Sequence, residues 1–145
     1  MRQETDCIFC RIVKGEAPSV LVYEDEATIA FMDIRPSSPG HTLVIPRAHV
    51  SDVFSAGDAE VCAVAKTVRR VALAIDRAVQ PQGMRIAQLN RAAAGQTVFH
   101  YHVHLVPAVG GNRGKIHGRD DVSLAEVHAV AERIRVELRR TVDLI

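Results

Sequence analysis

The sequence has no excess of charge of either sign and no long apolar run. Its 18 Lys and Arg residues oppose 17 Asp and Glu residues, for a net charge of +1. That balance argues against a general nucleic-acid or membrane-surface binder, which carries a basic excess. No apolar run approaches the ~20 residues of a membrane-spanning helix, and the polar residues 1–6 have no apolar stretch behind them like that of a signal peptide. We therefore expect a cytoplasmic protein with no nucleic-acid or membrane partner.

Cysteine is scarce, and its odd count excludes a framework built only of disulfides. Of the three cysteines, Cys7 and Cys10 form a Cys-x-x-Cys pair. Cys62 falls in an apolar helical pattern, where we expect a small core residue. The length of 145 residues suits a single domain over residues 1–145 that buries a sizeable core.

Hydrophobic periodicity and turn residues predict five strands and three helices. We expect strands over residues 19–23, 28–34, 41–45, 84–89 and 99–106. We expect helices over residues 8–14 and 58–80, and a last one opened by the capping box at Ser123. The apolar stripe of the long helix includes Val64 and Ala65, and that of the last helix begins at Leu124. Residues 110–121 with His117 are predicted to form a loop.

This order of elements predicts an α+β fold. We expect a five-stranded, mainly antiparallel sheet with a long helix and a C-terminal helix packed to one side. A right-handed crossover through the long helix to a parallel strand is the alternative. His117 and His128 are predicted to be surface residues.

Three histidines, His100, His102 and His104, alternate along the predicted fifth strand. Alternate side chains of a strand share a face, so we expect the three imidazoles on one side at intervals of roughly 6.5 to 7 Å. The preceding turn carries residues suited to ligand contact, namely Gly95, Gln96 and Thr97. The three histidines could bind one catalytic metal, divide nucleophilic and acid–base work, or combine the two roles.

The Cys-x-x-Cys pair is the second feature that suggests chemistry. A structural zinc site needs four Cys or His ligands, and His49 and His100 are the best completions of Cys7 and Cys10. A redox pair is an alternative, although no thioredoxin-like βαβ pattern surrounds the motif. Simple packing of the two thiols is another.

One group of motifs extends over residues 7–107. Residues 100–106, His-Tyr-His-Val-His-Leu-Val, are histidines alternating with hydrophobic residues. The others are Cys7-Ile8-Phe9-Cys10, Phe31-Met32-Asp33-Ile34, Gly40-His41-Thr42-Leu43-Val44-Ile45-Pro46, His49, Asn90 and Gly95-Gln96-Thr97. Together they resemble the histidine-triad (HIT) family, in its bacterial Hint-like branch. The sequence departs from many relatives at Arg91 and at Pro107-Ala108, which bears on the leaving group.

The resemblance implies a HIT-like fold and an enzyme of the adenosine phosphoramidase kind. It acts at the α-phosphate of nucleotidyl conjugates through a nucleotidyl-histidine on His102. Charge stabilisation and hydrogen bonding are then expected from His104, His41, Gln96 and Thr97. Nucleotide contacts are expected from Ile8, Phe9, Phe31, Asp33, Ile34, Asn90 and Gly95, with Asp33 accepting from the ribose hydroxyls.

The resemblance also favours a structural Zn²⁺ on Cys7, Cys10, His49 and His100 over the redox pair. It implies a homodimer through the long helix and an adenosine-containing purine nucleotide as substrate. Three alternatives stay open: a dinucleoside polyphosphate hydrolase or phosphorylase, a nucleotide-binding interaction protein, and a metal hydrolase with all three triad histidines on one zinc.

Overall fold

The computed structural model describes residues 4–110 and 122–141. Within them the chain forms elements close to those predicted. The strands are β1 (Leu21–Glu24), β2 (Thr28–Met32), β3 (Thr42–Pro46), β4 (Gly83–Gln88) and β5 (Val103–Ala108), and the α-helices are α1 (Ile8–Val13), α2 (Asp58–Val79) and α3 (Leu124–Thr141). Among the described residues, no helix has the length and apolar character needed to cross a membrane. The loop predicted around His117 lies outside the described residues.

The strands form one sheet in the order β1-β2-β3-β5-β4. Every neighbouring pair is antiparallel, which confirms the predicted α+β fold. The expected crossover through the long helix to a parallel strand also occurs. α2 connects β3 to β4, and these two strands run parallel to each other because β5 lies between them and is antiparallel to both.

α2 and α3 cover one face of the sheet. Side chains of α2 at three- and four-residue spacing, such as Val64 and Val68, are buried there in the main core. Three predictions of buried helix residues are wrong, because Cys62, Ala65 and Leu124 are exposed. Cys62 lies two residues from Val64, which places it about 200° away around the helix.

The turn before β3 requires glycine at position 40. Gly40 has a φ of +94°, and a Cβ there would lie 3.0 Å from Val79 and 3.1 Å from Pro107. Glycine therefore lets this turn sit directly against the end of α2 and against β5. That close approach holds His41 at the start of β3.

The opposite face of the sheet carries α1 and a second, smaller apolar cluster. Alternate residues of β2 and β3 point to this face and pack with the one large side chain of α1 that is buried. The cluster comprises Phe9, Ile29, Phe31, Leu43 and Ile45. This face is the one on which the predicted site residues gather.

β5 begins at Val103, later than the predicted start at residue 99. Residues 98–100 bend, and the Tyr101 N–H donates to the Val50 carbonyl at 2.6 Å. The expected row of three imidazoles on one strand is therefore wrong. The His102 and His104 rings remain neighbours, with centroids 4.9 Å apart, whereas His100 turns toward a different group of side chains.

Candidate active site and metal centre

A compact group of two cysteines and two histidines lies where α1 meets the sheet. Cys7 caps the N-terminus of α1, and Cys10 follows one turn later and is fully buried. Their Sγ atoms lie 3.5 and 3.6 Å, respectively, from Nδ1 of His100. His49 Nδ1 lies 3.2 Å from the Cys10 Sγ and 3.3 Å from the His100 Nδ1. The structure thus brings together all four predicted metal ligands.

The geometry of this cluster fits a tetrahedral metal ion. Zinc bonds of about 2.0–2.1 Å to nitrogen and about 2.3 Å to sulfur imply ligand–ligand separations of roughly 3.3 to 3.8 Å in a tetrahedron. The measured separations of 3.2 to 3.6 Å lie in or close to that range.

The protonation of His100 suits the same role. Its Nε2 lies 2.8 Å from the Pro46 carbonyl, which accepts only from a protonated nitrogen, so Nδ1 carries the lone pair. Burial lowers the pKa of His100 to about 4 and keeps the ring neutral near pH 7. Burial also raises the pKa of the Cys7 thiol, so metal binding has to displace a proton there.

A backbone carbonyl sets the neutral tautomer of His102. The ring is buried, and its Nδ1 lies 2.7 Å from the His100 carbonyl. A carbonyl accepts only, so in the neutral ring Nδ1 carries the proton and Nε2 keeps the lone pair. That nitrogen is the one available for nucleophilic attack.

The His41 and His104 rings form a chain of hydrogen bonds beside His102. The Ser37 N–H donates to His41 Nδ1 at 3.0 Å, so the proton of neutral His41 lies on Nε2. His41 Nε2 then donates to His104 Nδ1 at 3.0 Å. The proton of neutral His104 is thereby placed on Nε2, where it can serve as a donor. Register explains the contact, because His104 pairs with Leu43 and His41 is its diagonal neighbour on the same face.

The three triad histidines do not converge on one metal. The Nδ1 atom of His100 faces the cysteines, that of His102 faces a carbonyl, and that of His104 faces His41. The described residues contain a second group that could hold a metal, formed by Asp33, His41 and His104. A metal on His41 Nε2 would leave that ring with no proton on either nitrogen while Nδ1 still accepts from an N–H. The cysteine cluster is therefore the better metal site.

An open cavity of about 570 Å³ lies over His102 and His104. Its volume falls within the range of small-molecule sites. Of its apolar lining residues, Ile8 and Ile34 are 42% and 60% exposed, whereas Phe9 and Phe31 are buried. The cavity is also lined by Asp33, Leu43 and Thr97.

Asp33 follows β2 and lines the cavity with a partly exposed carboxylate. Its Oδ1 accepts from the Arg35 N–H at 2.8 Å, which orients the group. Its Oδ2 lies 3.6 Å from His41 Nε2. A carboxylate has about four lone-pair positions, so capacity is left for a ligand's hydroxyl groups.

The turn before the triad is held by side-chain amides. Gln96 is buried, accepts from the Arg91 N–H at 2.6 Å, and donates to the carbonyls of Ser51 (2.6 Å) and Val98 (3.1 Å). Asn90 accepts from the Val53 N–H at 2.8 Å.

Gln96, Asn90 and Gly95 lie outside the residues that line the cavity over His102, unlike Thr97. Gly95 has a φ of +99° and ends a short 3₁₀ turn. These three residues therefore shape the loop and do not line the cavity. Arg91 stacks over the exposed Phe54 ring at 4.4 Å.

Sequence reasoning missed several groups that set the state of the histidines. The Ser37 N–H and the carbonyls of Pro46 and His100 all act through the backbone. Backbone groups occur at every position, so no residue type marks them. The signal that could have pointed to Ser37 is its place in the turn cluster before His41.

Comparison with known proteins agrees with this arrangement. The HIT domain family matches residues 14–110. The chain belongs to the HIT family. The protein hit of Bacillus subtilis is 42% identical over 109 residues, 75% of each chain. Adenylylsulfatase HINT3 of Arabidopsis thaliana is 36% identical over 104 residues, 72% of this chain and 53% of that protein. A zinc-bound histidine triad family protein from Mycobacterium smegmatis superposes with a TM-score of 0.85 at 35% identity, covering 97% of this chain and 98% of that chain.

Of the four proposed metal ligands, two lie inside the residues that match the HIT family and two lie before them. Cys7 and Cys10 precede the matched residues, whereas His49 and His100 lie inside them. In this HIT protein the cysteine pair therefore joins an N-terminal segment to the strand region that carries the triad.

Proposed function

We propose that this HIT protein is a hydrolase or transferase that acts at the α-phosphate of nucleotidyl conjugates, as an adenosine phosphoramidase does. The observation that carries the proposal is the 2.7 Å contact of His102 Nδ1 with the His100 carbonyl. It leaves the Nε2 lone pair as the nucleophile. The chain is similar to an adenylylsulfatase, an enzyme named for an adenylyl conjugate, and this similarity supports attack at the α-phosphate.

In the first step His102 Nε2 attacks the α-phosphorus. A phosphorus–nitrogen bond forms while the bond from phosphorus to the amine or other leaving group breaks, and its electron pair departs with that group. The leaving group takes up a proton from water at the open cavity. His102 keeps its proton on Nδ1, and the positive charge that develops on the ring is shared with the carbonyl acceptor.

His104 and His41 stabilise charge on the phosphoryl oxygens during this step. His104 Nε2–H is a donor because its Nδ1 already accepts from His41, so no proton has to move before it can bind an oxygen. The Thr97 hydroxyl is a further donor at the cavity wall. In the second step water attacks the phosphorus and loses a proton, which neutralises the hydroxide left by the first step. The bond to His102 breaks, and its electron pair returns to Nε2 as the nucleotide leaves.

The cavity accounts for nucleotide binding in the same proposal. The exposed Ile8 and Ile34 and the buried Phe9 and Phe31 provide an apolar wall for a purine base. Asp33 accepts from the ribose hydroxyls, since it lines the same cavity and its Oδ2 lies 3.6 Å from His41 Nε2. Gln96, Asn90 and Gly95 contribute indirectly, by shaping the loop that carries Thr97.

We further propose that Cys7, Cys10, His49 and His100 hold a structural zinc ion. Four protein ligands leave no open coordination position, which is the arrangement of structural rather than catalytic sites. The zinc-bound relative from Mycobacterium smegmatis supports the metal. A cytoplasmic location, still a prediction, would keep both thiols reduced and available.

We also propose a homodimer, built on the β4 edge of the sheet and on α2. Ile86 of β4 is 55% exposed, which is unusual for a strand residue opposite the buried Leu105. An uncovered apolar edge strand is suited to pairing with a second copy. Of the small residues of α2, Ala74 is buried in the chain's own core, whereas Ala65 is exposed and available for contact.

The decisive experiment is turnover of a substrate panel by wild type and by His102→Ala, with His128→Ala as the exposed control. We expect release of mononucleotide from adenosine phosphoramidates, and none from the His102→Ala variant although it still binds nucleotide. Wild type quenched in alkaline denaturant should carry radiolabel that acid releases. Near-normal turnover by His102→Ala would contradict the mechanism.

The same panel separates the alternatives. Preferential cleavage of dinucleoside polyphosphates would replace the phosphoramidase assignment with that of a polyphosphate hydrolase. Nucleotide binding by wild type without turnover of any conjugate would identify an interaction protein.

A further inference from the structure

The Cys-x-x-Cys motif encloses a residue that touches the proposed nucleophile. Phe9 lies between Cys7 and Cys10 on α1, and its ring meets the His102 ring edge to face, with centroids 5.2 Å apart at 89°. The same ring contacts His100 at 5.9 Å and Phe31 at 5.3 Å. The His102 ring therefore packs against both Phe9 and His104.

His100 connects the cluster to His102 through the backbone. One ring nitrogen of His100 faces the two cysteines, and the other donates to the Pro46 carbonyl. Its own carbonyl accepts the Nδ1 proton of His102. With both ring nitrogens held, His100 has little freedom to move, and neither has the carbonyl that orients His102.

α1 cannot hold Phe9 in place by itself. It has six residues, and isolated helices shorter than about 12 residues are marginal in water. Its position depends on its buried side chains, which are Phe9 in the second apolar cluster and the adjacent Cys10 among the proposed metal ligands. The metal-ligand cluster therefore helps to hold both groups that orient His102, which are the Phe9 ring and the His100 carbonyl.

We infer that the metal-bound cluster positions the nucleophile. The cluster is formed by Cys7, Cys10, His49 and His100, and when it holds its metal it keeps the Phe9 ring and the His100 carbonyl in contact with His102. Phe9 and His100 are thus positioning residues, and the metal centre governs turnover as well as stability. This inference rests on the proposed function, in which His102 is the nucleophile.

A loosened cluster is expected to release His102 to its other neutral tautomer and to other ring orientations. In the other tautomer the lone pair lies on Nδ1, which faces the backbone instead of the cavity. A displacement of about 1 Å at a reacting group can lower the rate roughly hundredfold. We expect kcat to fall roughly 10- to 100-fold, with a smaller change in KM because the rest of the cavity stays in place.

The test measures the His102 tautomer directly, by ¹⁵N nuclear magnetic resonance of histidine-labelled full-length protein at a pH where the ring is neutral. Signals are assigned by their loss in His102→Gln. In zinc-loaded wild type we expect a single form protonated on Nδ1. In chelator-stripped protein that keeps its far-ultraviolet circular dichroism, we expect a mixture of tautomers and the loss in kcat.

Variants keep the inference testable if the stripped protein unfolds. Zinc-loaded Phe9→Ala should show the same tautomer mixture and loss of kcat with its zinc retained, and Phe9→Leu should recover most of both. Val13→Ala is the matched control. Val13 lies on the same helix as Phe9 and packs against the same apolar cluster, but it has no ring contact with His102. An unchanged His102 signal and kcat in folded Phe9→Ala, or in folded stripped protein, would overturn the inference.

The two experiments distinguish a failure of this inference from a failure of the proposed function. If His102 is not the nucleophile, His102→Ala keeps its turnover whatever the tautomer signals show. If the positioning inference fails, His102→Ala still abolishes turnover, but the tautomer signal of His102 stays the same when the metal is removed.

Discussion

Replacing Gln96 with leucine removes the amide that joins three segments of the loop beside the triad. The amide accepts from the Arg91 N–H and donates to the carbonyls of Ser51 and Val98. Leucine has a similar volume but no polar atoms. The substitution therefore tests whether Gln96 supports the loop, as its contacts indicate, or donates to substrate, as the sequence predicted.

The magnitude follows from the three hydrogen bonds. A backbone group left without its partner costs about 1–3 kcal/mol when buried, and these bonds are only partly buried, so the lower end applies to each. We expect Gln96→Leu to lose about 2–4 kcal/mol of unfolding free energy in total. With a urea m-value of about 2 kcal/mol/M, the unfolding midpoint should fall by roughly 1–2 M.

The assay is urea unfolding followed by circular dichroism, together with steady-state kinetics on the folded variant. Thr97→Val is the control, because its exposed side chain lines the cavity and should change stability by less than about 0.5 kcal/mol. A Gln96→Leu variant with unchanged unfolding midpoint and a greatly reduced kcat would refute the structural role.

Four further predictions concern other parts of the protein. Purified protein should contain about one zinc per chain by elemental analysis, and chelation should lower the melting temperature; equal melting curves with and without metal would contradict a structural role. Asp33→Ala should raise KM more than it lowers kcat and remove discrimination against 2′,3′-dideoxy substrates, whereas a wild type that does not distinguish them leaves Asp33 without this role. Sedimentation at micromolar concentration should give twice the 15.9 kDa chain mass, and Ile86→Lys should give monomers; a fully active wild-type monomer contradicts the dimer. Although partial burial opposes it, hydrogen bonds from the Ala27 and Thr28 N–H groups hold the pKa of Asp25 below its usual 3.8, so the stability advantage of wild type over Asp25→Ala should be complete above that pH and shrink as the pH falls below it.

The elements of the fold could be predicted because their signals are local. The spacing of Val64, Val68 and Val71 indicates a buried helix face without reference to any distant residue. The capping serine at Ser123, whose hydroxyl accepts from the Glu126 N–H, marks a helix start in the same way. The errors at Ala65 and Leu124 arise where a stripe ends, because the partner surface decides how far the buried face extends, whereas Cys62 lies on the face opposite Val64.

The candidate site was only partly predictable. The sequence determined which residue types are available, and the motif order pointed to the family and to the four cysteine and histidine ligands. The predicted regular strand put His100 and His102 on one face, although His100 was expected as a metal ligand and His102 as the nucleophile. The structure separates them because the chain bends before β5, where the Tyr101 N–H bonds to Val50.

What the sequence by itself determined is the element pattern, the α+β class and the set of chemical groups. Tertiary structure alone decided the insertion of β5 between β3 and β4, the partner of each imidazole, and hence which nitrogen carries the proton. The reason is physical. A histidine's tautomer depends on whether a donor or an acceptor faces each nitrogen, and for His41, His100 and His102 that partner is a backbone group, which carries no signature in the residue types.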